Sequence, residues 1–154
     1  MILTSSTGIS FKLNITGYQF PQMETEYYDA NWLLVQTHVT HPKGDWTSTD
    51  ACLLTHEVTK LANWLESIHH GKSIQPGMSF MEPHLVFRLG LDENNNDALR
   101  IDFQLAARPP WAEERHAVND EEHWVEFPLA ENDLAAAARQ LREQLKKFPQ
   151  RAGE

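Results

Sequence analysis

The run DANWLLVQTHVTHPKGDWTSTDACL, residues 29–53, decides the fold class because it contains the clearest hairpin pattern in the chain. If residues 32–39 are extended, one face carries Leu33, Val35, Thr37 and Val39, and the other carries Trp32, Leu34, Gln36 and His38. Both faces are partly apolar, which is typical of a central strand. The turn HPKGD (residues 41–45) and the run from Trp46 to Leu53 then predict an antiparallel partner strand.

Strand patterns also occur on both sides of this hairpin. Upstream, apolar residues occupy alternate positions from Ile9 to Ile15, with polar residues between them. Downstream, short apolar runs predict strands at residues 78–81, 85–91, 99–106 and 124–127. The polar run DENNND (residues 92–97) predicts a turn between two of these strands.

Two segments show the spacing of amphipathic helices, at about 55–70 and about 131–148. Thr55 is a candidate N-cap of the first helix, with Glu57 in its first turn and Gly71 after its last. The second helix follows Pro128 and has two lysines in its last turn, near the negative end of the helix dipole. The expected apolar stripes are Val58, Leu61, Ala62, Leu65 and Ile68 in the first helix, and Leu134, Ala137, Ala138, Leu141, Leu145 and Phe148 in the second.

This order of elements predicts an α+β fold, with a mostly antiparallel, twisted sheet of about seven strands and the two helices packed on it. A chain of 154 residues has the usual size of one domain, so residues 1–154 are predicted to form a single domain. We expect one hydrophobic core that includes Trp32, Trp46, Leu61, Leu65, Leu141 and Leu145.

Composition limits the classes of partner. The formal charge is −9 and the pI is about 5.3, so direct binding to nucleic acid, which needs clusters of Lys and Arg, is not expected. Cys52 is the single cysteine, which excludes an intramolecular disulfide and favours a reducing, cytoplasmic location. The sequence contains neither a signal-peptide pattern nor an apolar run of membrane-spanning length, so no membrane association is expected.

No residue pattern predicts catalysis or a bound cofactor. Cys52 lies in an apolar strand end, where a free thiol is usually a buried hydrophobe rather than a nucleophile. The closest histidine pairs do not have the spacing of metal ligands; they are His38 with His41, His69 with His70, and His116 with His123. Phosphate-binding loops and the nucleophile-elbow motif are also missing. We therefore predict a protein that is not an enzyme and that uses no metal or cofactor.

Acidic residues concentrate in one part of the chain. From Leu89 to Asp133 the sequence has twelve acids and three bases. Such a region is either a solvated face or a surface that steers a basic partner. Trp111, in the rigid turn RPPW, is a candidate anchor for a partner, although the sequence does not distinguish an exposed ring from a buried one. The candidate partner-binding residues are Asp92, Glu93, Asp97, Trp111, Glu113, Glu114, Asp120, Glu121 and Glu122.

Eight short motifs occur in an order and spacing that resemble the WapI-like family, named for the immunity protein of a bacterial wall-associated toxin. They are YQFPQ (18–22), DANWL (29–33), GDW (44–46), CLLTHE (52–57), NWLESI (63–68), FMEPHLVF (80–87), PPW (109–111) and QLKKFPQR (144–151). The resemblance covers nearly the whole chain. It implies a small cytoplasmic antidote that binds and blocks the tRNA-cleaving domain of a contact-dependent toxin, with no catalytic residues of its own.

The acidic region and the resemblance together predict an immunity protein whose carboxylates occupy the basic, RNA-binding surface of a nuclease toxin. On this interpretation DANWL is a structural signature, with Asp29 or Asn31 making a turn. Two alternatives stay open. One is a small-molecule-binding protein or hydrolase, with a pocket formed by Tyr27, Tyr28, Trp32 and a carboxylate, Glu57 or Glu82. The other is an interaction module that forms a homodimer through the Trp111 turn.

Overall fold

The structure is a computed structural model that describes residues 1–72, 74–112 and 123–151. The fold class is α+β, as predicted, and the strands are antiparallel. The expectation of a single sheet is corrected, because the strands form two sheets of four, separated in sequence by a helix. Within the described ranges, no helix has both the length and the apolar character needed to cross a membrane.

The first sheet has the strand order β1-β2-β3-β4. Its strands are β1 (Ile2–Thr4), β2 (Ser10–Tyr18), β3 (Trp32–Thr40) and β4 (Trp46–Leu54). The hairpin predicted from residues 32–53 is confirmed, with Val39 opposite Trp46, and β3 is a central strand. Along β3 the side chains of one face are buried and those of the other are partly exposed. This sheet therefore covers the core with one face only.

The second sheet has the order β5-β6-β7-β8. Its strands are β5 (Gly77–Met78), β6 (Leu85–Leu91), β7 (Asp97–Phe103) and β8 (Trp124–Pro128). The predicted turn between β6 and β7 is confirmed. β5 is shorter than predicted, and β7 ends at Phe103 rather than at residue 106. The reason for the second difference is that Leu105 has a φ of +51° and begins a 3₁₀ turn, Leu105–Ala107, which cannot continue the strand.

Three α-helices are present among the described residues: α1 (Tyr27–Asn31), α2 (Thr55–His69) and α3 (Leu134–Lys147). α1 has no counterpart in the sequence prediction, because five residues are too few to show helical periodicity. The N-cap of α2 is Leu54 rather than Thr55, and the Glu57 carboxylate accepts a hydrogen bond from the Leu54 amide (2.9 Å). α3 begins later than predicted because Asp133 is its N-cap and accepts a hydrogen bond from the amide of Ala136 (2.9 Å).

The helices α2 and α3 pack against each other. The Arg142 guanidinium of α3 donates to the Glu66 carboxylate of α2 (3.1 and 2.8 Å) and to Asn63 (3.0 Å). The hydrogen bond from Arg142 lowers the pKa of Glu66. The predicted apolar stripes are confirmed: Val58, Leu61, Ala62, Leu65, Leu134, Ala137, Ala138 and Leu141 are buried, and Ile68, Leu145 and Phe148 pack on the core with partial exposure.

Aromatic side chains join the two sheets. The ring of Phe11 on β2 packs against Phe87 on β6 and Phe103 on β7, with ring centroids 6.3 and 6.0 Å apart. Trp46 on β4 packs edge-on against Phe103 at 5.2 Å, and its indole N–H donates to the carbonyl of Ala107 (3.0 Å). Trp46 therefore belongs to the core, as predicted. Trp32 does not, because its side chain is on the partly exposed face of β3.

Asn31, at the end of α1, connects this helix to two distant segments of the chain. Its side chain is fully buried. The amide nitrogen donates to the carbonyl of Tyr27 (2.7 Å), and the amide oxygen accepts hydrogen bonds from the Thr55 hydroxyl (3.0 Å) and from the backbone of Arg151 (2.9 Å). The Arg151 guanidinium in turn lies over the ring of Tyr18 at 3.5 Å. These contacts give DANWL a structural role, through Asn31.

Candidate functional site

A broad cleft with a volume of about 1270 Å³ is lined by three segments of the chain. They are the connection after β1 (residues 5–9), the turn between β6 and β7 (residues 91–97), and β8 with the 3₁₀ turn that follows it (residues 124–131). His41, Lys43 and Trp111 also contribute to the lining. We call this feature the acidic cleft, because carboxylates outnumber cations among its lining side chains.

Four of the predicted partner-binding residues line the acidic cleft together: Asp92, Glu93, Asp97 and Trp111. The other five, Glu113, Glu114, Asp120, Glu121 and Glu122, lie outside the described residues. Two further acids, Glu126 and Glu131, line the cleft but are not among the predicted site residues. The sequence could have indicated Glu126, because residues two apart in a strand point to the same face, and Glu126 lies two residues after Trp124.

Asp92 has a structural role in the turn between β6 and β7. One carboxylate oxygen accepts hydrogen bonds from the amides of Asn94 (2.8 Å) and Asn96 (2.9 Å), and these bonds lower the pKa of Asp92. Asn95 follows with a φ of +61°, in the left-handed region that Asn tolerates. Asp92 thus holds the turn in which Glu93 and Asp97 are exposed.

The electrostatic character of the cleft is negative. Five carboxylates line it, against the two cations Lys43 and Arg100. Burial, followed by the charges of Asp92 and Glu93, raises the pKa of Glu126, while Arg100 opposes this shift. Burial and the neighbouring Lys43 lower the pKa of His41, with Asp45 opposing the shift, which disfavours the charged imidazolium. A cationic group entering the cleft would therefore be favoured.

Trp111 is held by aromatic contacts rather than standing free on the surface. Its ring is perpendicular to Trp46 at a centroid distance of 5.0 Å and lies 5.2 Å from His41. The side chain is partly buried, and Trp111 contributes to the lining of the cleft. Among the described residues, the indole N–H groups of Trp111 and Trp124 have no hydrogen-bond partner.

Several acids of the region from Leu89 to Asp133 stabilise the fold instead of forming a free surface. Asp102 is buried between Arg88 (2.9 Å) and Arg100 (3.0 Å). Glu131 accepts hydrogen bonds from the amide and the hydroxyl of Ser6, both at 2.8 Å. Asp133 caps α3. Composition alone could not separate these acids from Glu93, Asp97 and Glu126, because the separation depends on contacts with distant segments.

In the alternative small-molecule pocket with Tyr27 and Tyr28, Glu57 cannot serve as a free carboxylate. Each oxygen of Glu57 accepts a backbone hydrogen bond, one from Leu54 (2.9 Å) and one from Met81 (2.7 Å). The Tyr27 hydroxyl lies 3.2 Å from Nδ1 of His56, and Tyr28 is exposed. Glu57 therefore joins the start of α2 to the segment before β6.

The thiol of Cys52 is buried, as predicted. Burial, together with nearby carboxylates of which Asp50 contributes most, raises its pKa to about 12, so the thiol stays protonated at neutral pH. His38 lies 2.8 Å from the Thr47 hydroxyl, whereas His41 packs on Trp111. In residues 1–72, 74–112 and 123–151, no group of three or more His, Cys, Asp or Glu side chains is arranged to hold a metal ion.

Comparison with known proteins identifies one relationship. The model of the immunity protein WapI-like family matches residues 1–149 of the chain. The match includes β1 to β8, all three helices and every residue that lines the acidic cleft. Comparison with curated proteins and with solved structures gives no match.

Proposed function

The chain belongs to the WapI-like immunity protein family, and on this premise we propose that it binds and neutralises the nuclease domain of a cognate secreted toxin. The family supports an immunity role and implies a toxin protein as the partner. We further propose that the acidic cleft and the acids from Glu113 to Glu122, which follow Trp111 in the sequence, contact the basic surface of that domain.

The observation that carries this proposal is the meeting of acidic and aromatic side chains in one cleft. Glu93 lies in the turn between β6 and β7, Asp97 at the start of β7, Glu126 on β8, and Trp111 in a separate segment. Negative charge beside a partly exposed tryptophan is a combination suited to a basic protein surface, since aromatic residues are enriched at the centres of interfaces and complementary charges guide association.

Inhibition by this route requires no chemistry from the immunity protein. A nuclease binds RNA phosphates with Lys and Arg, and carboxylates can form the same charge-assisted hydrogen bonds with those cations. A bound protein then excludes the RNA by occupying its site. This mechanism is consistent with a buried, protonated Cys52 and with a Glu57 carboxylate whose oxygens both accept backbone hydrogen bonds.

Charge reversal in this region tests the electrostatic part of the proposal. The variant carries Glu93→Lys, Glu113→Lys and Glu121→Lys, and it spares Asp92 because Asp92 holds a turn. With the nuclease domain of the cognate toxin, we expect association to slow by about tenfold at low salt, and by less as salt screens the charges. Stopped-flow association at several salt concentrations measures the effect.

The matched control reverses the same number of charges elsewhere. Glu24, Glu26 and Asp29 are exposed and do not line the acidic cleft. Lysine at these three positions should leave the association rate near that of the wild type. If both triple variants slow association equally, net charge rather than the acidic cleft guides the partner, and the proposed surface is wrong.

Trp111 is expected to act on dissociation rather than on association. Trp111→Ala should speed dissociation of the toxin domain by about tenfold, since truncating an interface aromatic mainly raises the off-rate. Trp111→Phe keeps a ring against Trp46 and is the control for the lost packing. Surface plasmon resonance gives both rates. An unchanged off-rate in a folded Trp111→Ala protein would remove Trp111 from the interface.

A further inference from the structure

The outer edge of β8 carries backbone groups that no strand of the described residues uses. In that part of the chain β8 is the last strand of its sheet and pairs with β7 alone. The amide of Phe103 donates to the carbonyl of His123 (2.8 Å), which makes these opposing residues a hydrogen-bonded pair. Bonded and non-bonded pairs alternate along an antiparallel ladder, and the register between β7 and β8 continues without a bulge. The N–H and C=O groups of Trp124 and Glu126 therefore point away from β7.

Within the described part of the chain, no hydrogen bond satisfies the outward N–H groups of Trp124 and Glu126. The edge ends at Pro128, whose carbonyl accepts a hydrogen bond from the side chain of Asn132 (3.0 Å). Two donors and two acceptors at alternate positions thus have no partner among residues 1–72, 74–112 and 123–151. This is the pattern that an added strand recognises.

One edge strand of the other sheet, β1, has its outward amides covered. These amides and that of Ser6, in the turn after β1, donate to side chains: Ile2 to Gln140 (2.9 Å), Thr4 to Asn132 (2.9 Å) and Ser6 to Glu131 (2.8 Å). Side chains in the middle of α3 and in the segment just before it therefore protect the β1 edge from further pairing. Among the described residues, no comparable hydrogen bond covers the outward amides of β8.

The open edge borders the acidic cleft. Trp124 and Glu126 line it, and Asp92, Glu93 and Asp97 lie in the same lining. Arg100 lies over the Trp124 ring at 4.2 Å and is the cross-strand neighbour of Glu126. Excess carboxylates along an open strand edge favour an occupant that is both extended and basic, because opposite charges on neighbouring strands stabilise a sheet.

We propose that the cognate toxin domain adds an extended, Lys- or Arg-containing segment to the outer edge of β8 as a fifth strand of the second sheet. The inference rests on the function proposed above and specifies how the partner binds. Main-chain hydrogen bonds to Trp124 and Glu126 fix the register, and basic side chains at alternate positions of the added strand meet the carboxylates of the cleft. The β1 edge does not take part.

Amide hydrogen exchange by NMR tests the added strand without any substitution. The probe is a catalytically inactive form of the nuclease domain of the cognate toxin. The amides of Trp124 and Glu126 should exchange rapidly in the free protein and slowly in the complex, whereas those of Val125 and Phe127, which bond to β7, should be protected in both. A complex in which Trp124 and Glu126 still exchange rapidly overturns the added strand and leaves the immunity function standing. Absence of any complex overturns both.

A proline substitution provides the second measurement. Glu126→Pro removes an outward amide that β7 does not use, and edge strands tolerate proline at such positions. We expect the Kd to rise by about a hundredfold. The toxin carbonyl that bonded to the amide of residue 126 loses its donor, and the proline ring clashes with the added strand. Glu126→Gln removes the charge but keeps the amide, and should raise the Kd by less than about tenfold. Equal losses in the two variants, with native circular dichroism in both, would show that Glu126 acts by charge alone.

Discussion

Phe11→Ala is expected to lower the free energy of unfolding by about 3–5 kcal/mol, because it removes a fully buried ring and leaves a cavity between the two sheets. The Phe11 ring packs on Phe87 and Phe103 of the second sheet, at centroid distances of 6.3 and 6.0 Å. Neighbouring rings cannot close the gap without moving strands that are fixed by their ladders. Urea unfolding followed by tryptophan fluorescence measures the loss.

Phe20→Ala is the matched control for this substitution. The Phe20 side chain is 42% exposed, so the same truncation should cost less than about 1 kcal/mol. The slope of the unfolding free energy against urea should stay unchanged in both variants if the native fold persists. Equal stability of the two variants would contradict the placement of Phe11 at the junction of the sheets.

Asn31→Ala is expected to cost about 2–4 kcal/mol, although it removes little apolar surface. The buried side chain accepts hydrogen bonds from Thr55 and Arg151 and donates one to Tyr27. Without it, the Thr55 hydroxyl and the Arg151 amide lose their acceptor, and the chain after Pro149 loses a contact with α1. Thermal unfolding by circular dichroism measures the change.

The same substitution at an exposed asparagine separates this network effect from the intrinsic effect of alanine. Asn94 lies in the turn between β6 and β7, where only its backbone amide is bonded to Asp92. Asn94→Ala should therefore leave the melting temperature almost unchanged. If the Asn31→Ala and Asn94→Ala variants have the same melting temperature, Asn31 does not connect the three segments.

Local patterns predicted the elements that bury one regular face. The alternation from Ile9 to Ile15, the hairpin that begins at Trp32, and the apolar stripe from Val58 to Leu65 all correspond to observed elements. Each depends only on the spacing of apolar residues, which the sequence contains directly. The same spacing misplaced Trp32 in the core, because a strand with two partly apolar faces does not indicate which face is covered.

The division of the strands into two sheets was not predictable in this way. Period-two alternation predicts a strand but does not specify its neighbour, and the two sheets meet through contacts such as that of Phe11 with Phe103. The role of Asn31 has the same origin, since its partner Arg151 is 120 residues away. Side-chain coverage of the β1 edge by Gln140 and Asn132 also depends on tertiary contacts alone.

The candidate site was predicted in part. Local acidity pointed to Asp92, Glu93 and Asp97, and all three line the acidic cleft. Composition could not show that Asp102 is neutralised by Arg88 and Arg100, since a buried ion pair depends on strand register. Trp111 was a candidate because of its rigid turn, but its contacts with Trp46 and His41 come from segments far away in sequence.

If the chain neutralises a nuclease toxin by binding it, mixing the two purified proteins should abolish the nuclease activity. The nuclease domain of the cognate toxin is mixed with tRNA, and the immunity protein is added in increasing amounts. We expect tRNA cleavage to stop once the two proteins are equimolar, with a complex visible by size-exclusion chromatography. Undiminished cleavage in an excess of the folded protein would show that the chain does not neutralise this toxin.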